Sequence, residues 1–123
     1  YCGVGHEFFD KPDNEIELED IARAKHAQRG YVSYEQLPDQ HRSFNYTARA
    51  HNIEGIAHLI LSGDYIGFLP NYYAEYWIKR NQMRSIHDNI YRYISRYEII
   101  RRKATQKTPA ESIFYDLIIK NSA

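Results

Sequence analysis

The sequence has a single cysteine, Cys2, among its 123 residues, and it has no excess of charge of either sign. One cysteine cannot form a disulfide within the chain, and such low usage is typical of proteins in a reducing compartment, which predicts a cytoplasmic protein. Sixteen basic residues balance sixteen acidic residues. Because affinity for DNA depends on an excess of Lys and Arg that neutralises phosphates, this balance argues against nucleic-acid binding by these residues alone.

Long apolar runs are missing as well. No stretch approaches the roughly 20 apolar residues that a membrane-spanning helix needs, so the sequence predicts no membrane contact. The composition, with 43% hydrophobic and 26% charged residues, is typical of a folded domain. A chain of this length can bury one hydrophobic core but is too short for two ordinary domains.

The residue patterns of catalytic and metal-binding sites are also missing. The sequence contains no paired carboxylates, no Gly-x-Ser-x-Gly turn and no phosphate-binding loop. Cys2 has no neighbouring base that would activate its thiol. His51 and His58 would lie on one side of a helix but roughly 10 Å apart, too far to share a metal ion. We therefore predict no enzymatic activity, no metal site and no cofactor.

The segment from Asn52 to Pro70 carries the clearest structural pattern in the chain. Four apolar residues recur at the spacing of one helical face, namely Ile53, Ile56, Ala57 and Ile60. Gly63 follows as a residue that can take positive φ at the end of a helix. Tyr65 to Leu69 then predicts a buried strand that Pro70 ends.

Other segments show the same alternation of helix and strand patterns. We predict helices at Leu18 to Ala22, from Asn71 with its side chain as the cap, and from Pro109, and strands at Tyr31 to Tyr34, Phe44 to Ala48, Met83 to Ile86 and Tyr91 to Arg101. Strands that alternate with helices predict an α/β fold, a mainly parallel sheet flanked by helices on both faces.

The last predicted helix has a well-defined start. Thr108 and Glu111 form a capping box, and Pro109 occupies the first helical position, where its missing N–H is harmless. An apolar stripe follows at Ile113, Phe114, Leu117 and Ile118. An exposed stripe of this kind tends to bind a partner, so the sequence also predicts self-association.

Three segments resemble the effector-binding domains of LysR-type transcriptional regulators, and they follow one another along the chain in the order of that family. Residues 57–70 resemble the family segment Ala-x-Leu-[Val/Ile]-Leu-Ser-Gly-x-x-Ile-Gly-[Phe/Tyr]-Leu-Pro. Residues 1–9 are similar to the strand and Gly-x-x-His-Pro-Leu-Phe turn that open the second subdomain, with Glu7 where proline is usual. Residues 16–22 are similar to the Ile-x-Leu-x-Asp-Leu-Ala helix, and Gly30-Tyr31-Val32 is similar to the strand after it. The resemblance therefore covers nearly the whole chain.

This resemblance implies the fold of type 2 periplasmic binding proteins, in which two hinged α/β subdomains hold a small molecule between them. Residues 1–90 would form the second subdomain, and residues 91–123 the return strand and the C-terminal helix. The winged helix-turn-helix and the first subdomain of the family are not found among these 123 residues. We therefore expect a longer protein that contacts promoter DNA through its N-terminal domain.

The function implied by the resemblance is effector sensing and oligomerisation within a LysR-type DNA-binding regulator. The alternative is a free-standing solute-binding domain of the same kind of fold, without DNA contact. A winged helix-turn-helix encoded upstream would establish the first function, and a signal peptide would establish the second.

Ligands of open α/β sheets bind outside the carboxyl ends of strands, beside helix N-termini that attract anions. The junction before the helix at Asn52 is such a place, and comparable positions in the family contribute to the effector cleft. The Thr47 hydroxyl and the Arg49 guanidinium suit a carboxylate effector. We predict that Phe68 forms an apolar wall and that Tyr34 closes the site. The alternative is that Arg49 is a solvated charge at a strand end.

Overall fold

The structure, a computed structural model, describes residues 1–33, 35, 37–94, 98–100 and 108–121. It divides into two compact units, Tyr1–Arg92 and Tyr93–Ala123. No helix in the described parts is both long enough and apolar enough to cross a membrane.

A five-stranded sheet organises the first unit. Its strands are β1 (Cys2–Gly3), β2 (Lys25–Arg29), β3 (Asn45–Ala50), β4 (Ile66–Gly67) and β5 (Met83–Arg84). The spatial order is β3-β2-β4-β1-β5. The three strands β3, β2 and β4 are parallel, whereas β1 is antiparallel to both β4 and β5. The α/β class is thus confirmed, and the parallel part of the sheet contains the strands nearest the predicted site.

Among the described residues of this unit there are four α-helices, namely α1 (Leu18–Arg23), α2 (Ile53–Leu61), α3 (Asn71–Ile78) and α4 (Asp88–Tyr91). They contribute to two buried clusters on opposite faces of the sheet, because successive strand residues point in opposite directions. One cluster contains Ile21 of α1 with Cys2, Phe8, Ile16, Phe44, Ile66 and Ile86. The other contains α2 and α3 residues with Ala27 and Met83. Both faces of the sheet are therefore covered, as predicted.

The helix-to-strand unit after β3 forms as the sequence predicts. The Asn52 side-chain oxygen accepts a hydrogen bond of 2.8 Å from the Gly55 backbone N–H and so caps α2. Ile56 and Ile60 are fully buried. Gly63 has φ of +80°, the left-handed conformation that a helix end favours in glycine. β4 follows directly after this turn.

Two details of the predicted elements are wrong. The strand predicted at Tyr31 to Tyr34 lies earlier, at Lys25–Arg29, because α1 ends at Arg23 and the chain enters the sheet at once. Residues 31–33 form a turn and irregular structure instead. Asn71 is also not a cap, since Pro70 occupies that position and the Asn71 side chain accepts a hydrogen bond from the Tyr1 hydroxyl.

The long strand predicted from Tyr91 to Arg101 is not present in its described part. Tyr91 ends α4, and residues 92–94 and 98–100 are in no strand. The other residues of that prediction lie outside the described ranges. Two-residue alternation predicts which side chains share a face, but a strand also needs a neighbour that satisfies its backbone hydrogen bonds.

The second unit contains one described helix, α5 (Pro109–Asn121). The Thr108 hydroxyl accepts a hydrogen bond of 3.2 Å from the Glu111 N–H, so the predicted cap is present. Ile113, Phe114 and Leu117 are 61%, 67% and 53% exposed. Three of the four residues of its predicted apolar stripe are therefore exposed, and Ile118 is half-buried.

Candidate functional site

An open groove of about 500 Å³ is formed by β2, β3 and the loop that follows β2. Its lining combines one guanidinium, one amide and several hydroxyl groups with short stretches of backbone. The lining residues are Gln28, Gly30, Tyr31, Val32, Ser33, Tyr46 and Arg49. Gln28 and Arg49 lie near the carboxyl ends of two parallel strands, the edge where ligands of such sheets bind.

A β-bulge gives this groove its arrangement of side chains. His26 pairs with Tyr46 and Ala27 pairs with Ala48, so Thr47 is the extra residue of β3. In a regular strand, Tyr46 and Arg49 would point to opposite faces because they are three positions apart. The extra residue brings both side chains to the same face, where both line the groove.

Arg49 lies directly across the ladder from Gln28. Its Nη2 donates a hydrogen bond of 3.1 Å to Gln28 Oε1. Arg49 is exposed, and none of the described carboxylates forms an ion pair with it. Its partner is a neutral amide, so the guanidinium keeps a positive charge at the groove.

The other predicted site residues lie elsewhere or outside the described ranges. Thr47 is exposed at the bulge but does not line the groove. Phe68 packs in the aromatic cluster below, with its ring 4.4 Å from that of His41. Tyr34 lies outside the described residues. The structure thus brings Arg49 into a groove but does not bring Thr47 or Phe68 to it.

The histidine beneath the groove adds no charge to it near neutral pH. His26 is 2% exposed, and its ring packs 4.3 Å from that of Phe44. Burial lowers the pKa of His26 to about 4, against the smaller opposing effect of its hydrogen bond to the Ala24 carbonyl. Arg49 is therefore the permanent positive charge among the groove residues.

His51, where β3 leads into α2, does not line the groove but contacts Gly30, which does. The Gly30 N–H donates a hydrogen bond of 2.8 Å to the Ala50 carbonyl, which continues the ladder past β2. A Cβ on Gly30 would lie 2.5 Å from His51 Cε1, so the imidazole packs directly over the glycine. His51 follows Arg49 by two positions, and its contact with Gly30 places it next to the groove backbone.

Four residues that line the groove were not among the candidates predicted from the sequence, namely Gln28, Tyr31, Ser33 and Tyr46. Gln28 would have been found had the strand been placed at Lys25–Arg29, since that register sets it opposite Arg49. Tyr46 was obscured by the bulge, which breaks the two-residue period of β3. The polar sequence of β2 has no apolar alternation, so it indicated neither the position of this strand nor its register with β3.

The sheet, the helices on both of its faces and the polar groove at the ends of parallel strands define an α/β domain. Its type, periplasmic-binding-protein-like type 2, follows from the family to which the chain is matched. The family profile described as the LysR substrate binding domain matches residues 1–123. The chain belongs to this family. No solved structure matches it.

A similar protein of known class is the HTH-type transcriptional activator BauR of Pseudomonas aeruginosa. It is 31% identical over 103 residues, which cover 84% of this chain and 34% of BauR. The chain thus spans about a third of the length of that relative. The family consists of effector-binding domains of regulators and is not a class of enzymes.

Proposed function

We propose that this chain is the part of a LysR-type transcription regulator that senses a small-molecule effector, and that the effector is a carboxylate bound at Arg49. The proposal is based on the environment of the Arg49 guanidinium. This group lines the groove and has no carboxylate partner among the described residues; its hydrogen-bond partner is the neutral amide of Gln28. Charge-assisted hydrogen bonds to a carboxylate are stronger than neutral ones, and such a guanidinium can supply them.

The promoter DNA of such a regulator would be bound by segments other than this one. Support comes from the balanced charge of these residues and from a relative that is named as HTH-type and of which the match covers only 34%. We further propose that the protein acts in the cytoplasm as a homo-oligomer and that this chain catalyses no reaction.

Calorimetry on the longer protein, with a panel of small carboxylates and their uncharged amides, tests the effector proposal. A carboxylate should bind more tightly than its amide. Arg49→Ala should weaken that carboxylate by about 1.5–3 kcal/mol, the range for hydrogen bonds to charged groups. Arg23→Ala is the matched control, because Arg23 is exposed and precedes β2 at the opposite end of the strand.

Equal affinity of the parent and Arg49→Ala for every bound carboxylate would remove Arg49 from the site. The upstream coding sequence tests the regulator proposal separately. A winged helix-turn-helix there supports it, and a signal peptide would favour the alternative of a free-standing solute-binding domain.

A further inference from the structure

We propose that Gln28 is the positioning residue that makes the groove selective for anions, because it holds the Arg49 guanidinium in place without cancelling its charge. This inference rests on the proposed function of the groove and assigns a role that sequence patterns did not reveal. The ligand class is a small organic carboxylate that forms hydrogen bonds to the guanidinium edge left open by Gln28.

The geometry of the pair supports positioning. Gln28 and Arg49 are register partners on adjacent parallel strands, and both side chains line the groove. Gln28 Oε1 accepts a hydrogen bond of 3.1 Å from Arg49 Nη2. An exposed arginine side chain has many rotamers, and fixing its guanidinium before binding reduces the entropy lost when a ligand arrives.

Position 28 carries an amide and not a carboxylate. Other arginines of the chain lie beside acidic groups, such as Arg23 with Glu19 and Arg84 with Asp13. A glutamate at position 28 would have the same length as Gln28 and would form an ion pair with Arg49. That internal carboxylate would compete with a carboxylate ligand for the same charge.

The electrostatics around the pair agree with this role. His26, on the same face of β2 two positions before Gln28, is buried and stays neutral near pH 7. On the opposite face, Arg29 pairs with Ala50 and so points away from the groove. The positive charge of the groove residues therefore comes from the Arg49 guanidinium alone. How strongly the groove attracts an anion depends on the residue paired with Arg49, which is Gln28.

Nuclear magnetic resonance on the 123-residue chain tests the proposal, with propionate and the uncharged propionamide as probes. The parent should prefer propionate. Gln28→Glu should weaken propionate binding by about tenfold or more while changing propionamide little, and Gln28→Ala should have a smaller effect on propionate. Gln82→Glu, an exposed site before β5 at the other sheet edge, adds the same charge and should leave both probes unchanged.

A charge swap adds a test that a merely structural role would not pass. The double variant Gln28→Arg with Arg49→Gln returns one guanidinium and one amide to the same pair of strands and should recover most of the preference for propionate. Equal propionate affinity in Gln28→Glu and the parent, or an equal loss in Gln82→Glu, would overturn the proposal.

A measurement without ligand separates this inference from the proposed function. Exchange of the Arg49 Nη protons with water should be faster in Gln28→Ala than in the parent, because the hydrogen bond to Oε1 is lost. Unchanged exchange would overturn the positioning role even if propionate binds. The parent could instead bind no carboxylate while the Arg49 Nη protons exchange faster in Gln28→Ala. That result would confirm the hydrogen bond between Gln28 and Arg49 and would refute the proposal that the effector is a carboxylate.

Discussion

At two glycines of the first unit, Gly3 and Gly30, an added Cβ would overlap a neighbouring atom. A Cβ on Gly3 would lie 2.3 Å from the backbone oxygen of Ile60 in α2, and a Cβ on Gly30 would lie 2.5 Å from the His51 ring. At Gly3 the overlapping atom belongs to the backbone of α2, at the buried residue Ile60. At Gly30 it belongs to the exposed His51 side chain, which can rotate away.

These two contacts predict unequal effects on stability. Gly3→Ala should lower the free energy of unfolding by about 2–3 kcal/mol, because α2 has to move to relieve the overlap. Gly30→Ala should cost less than about 1 kcal/mol, because only the His51 side chain has to move. Urea denaturation followed by Trp77 fluorescence measures both values. A Gly3→Ala variant as stable as the parent would show that α2 is not held tightly on β1.

Two buried histidines, His26 and His41, lie on the aromatic side of the sheet. Their rings pack against Phe44 at centroid distances of 4.3 Å and 5.3 Å. They are 2% and 1% exposed, and burial lowers the pKa of both imidazoles. A histidine that must stay neutral when folded makes stability depend on pH.

The sign of this dependence follows from the two pKa values of His26, the ordinary 6.5 of the unfolded chain and about 4 in the folded chain. Between these values the unfolded chain binds the extra proton, so stability falls as the pH decreases through this window. His26 alone should account for about 3 kcal/mol at most. The loss should level off below about pH 4 for this group.

Urea midpoints measured across this pH window check the prediction. His26→Phe should flatten the dependence, whereas His58→Gln, at an exposed position on α2, should leave it unchanged. A parent and a His26→Phe variant with parallel pH profiles would show that His26 does not cause the acid sensitivity.

Among the elements, those with a strong local pattern could be predicted and those fixed by tertiary contacts could not. The apolar spacing in α2, the asparagine cap and the glycine end are local, and all three are present. β2 has the polar composition of a loop, and its place in the sheet depends on burial of His26 and Ala27 between neighbouring strands.

The bulge at Thr47 explains why the residues that line the groove were only partly predicted. Arg49 could be singled out because a cation at a strand end before a helix is a recognisable local arrangement. The bulge is a property of the pairing between β2 and β3, so no local sequence pattern showed that Tyr46 would share a face with Arg49. Thr47 was chosen for its hydroxyl, whereas its observed role is to add one residue to the strand.

The apolar stripe of α5 predicts self-association. Phe114 is 67% exposed, and Phe114→Glu should shift the protein toward monomer because a charge cannot be buried cheaply in an apolar interface. Light scattering at increasing concentration measures the shift. Lys120→Gln, which changes the net charge by the same amount at an exposed position of the helix, is the control.

A chain ending at Lys107 should behave like the Phe114→Glu variant. A parent that remains strictly monomeric at high concentration would contradict the prediction. Association that persists in both variants would place the interface outside α5.

For the molecule as a whole, the order of the sequence motifs predicted the family, which the profile match over residues 1–123 confirms. The α/β class could be predicted because alternating elements leave few ways to cover a sheet. Effector identity could not be predicted, since it depends on side chains brought together by strand register. The mixed direction of the sheet was also missed, because the short β1 gives no clue to its antiparallel partners.

The balanced charge of the whole chain predicts that it does not recognise duplex DNA alone. A gel-shift assay at moderate salt should show no more binding than a neutral control protein gives. A sequence-specific shift with the 123-residue chain would mean that DNA contacts lie within this segment.

A titration of the 123-residue chain, followed through backbone amide resonances, tests whether a small carboxylate binds at the groove through Arg49. With carboxylate added, resonances of Gln28, Gly30 and Arg49 should shift, although binding should be weak because a groove this open leaves the ligand partly hydrated. The shifts should vanish in Arg49→Ala. Identical shifts in that variant, or shifts centred on residues outside the groove, would contradict the account.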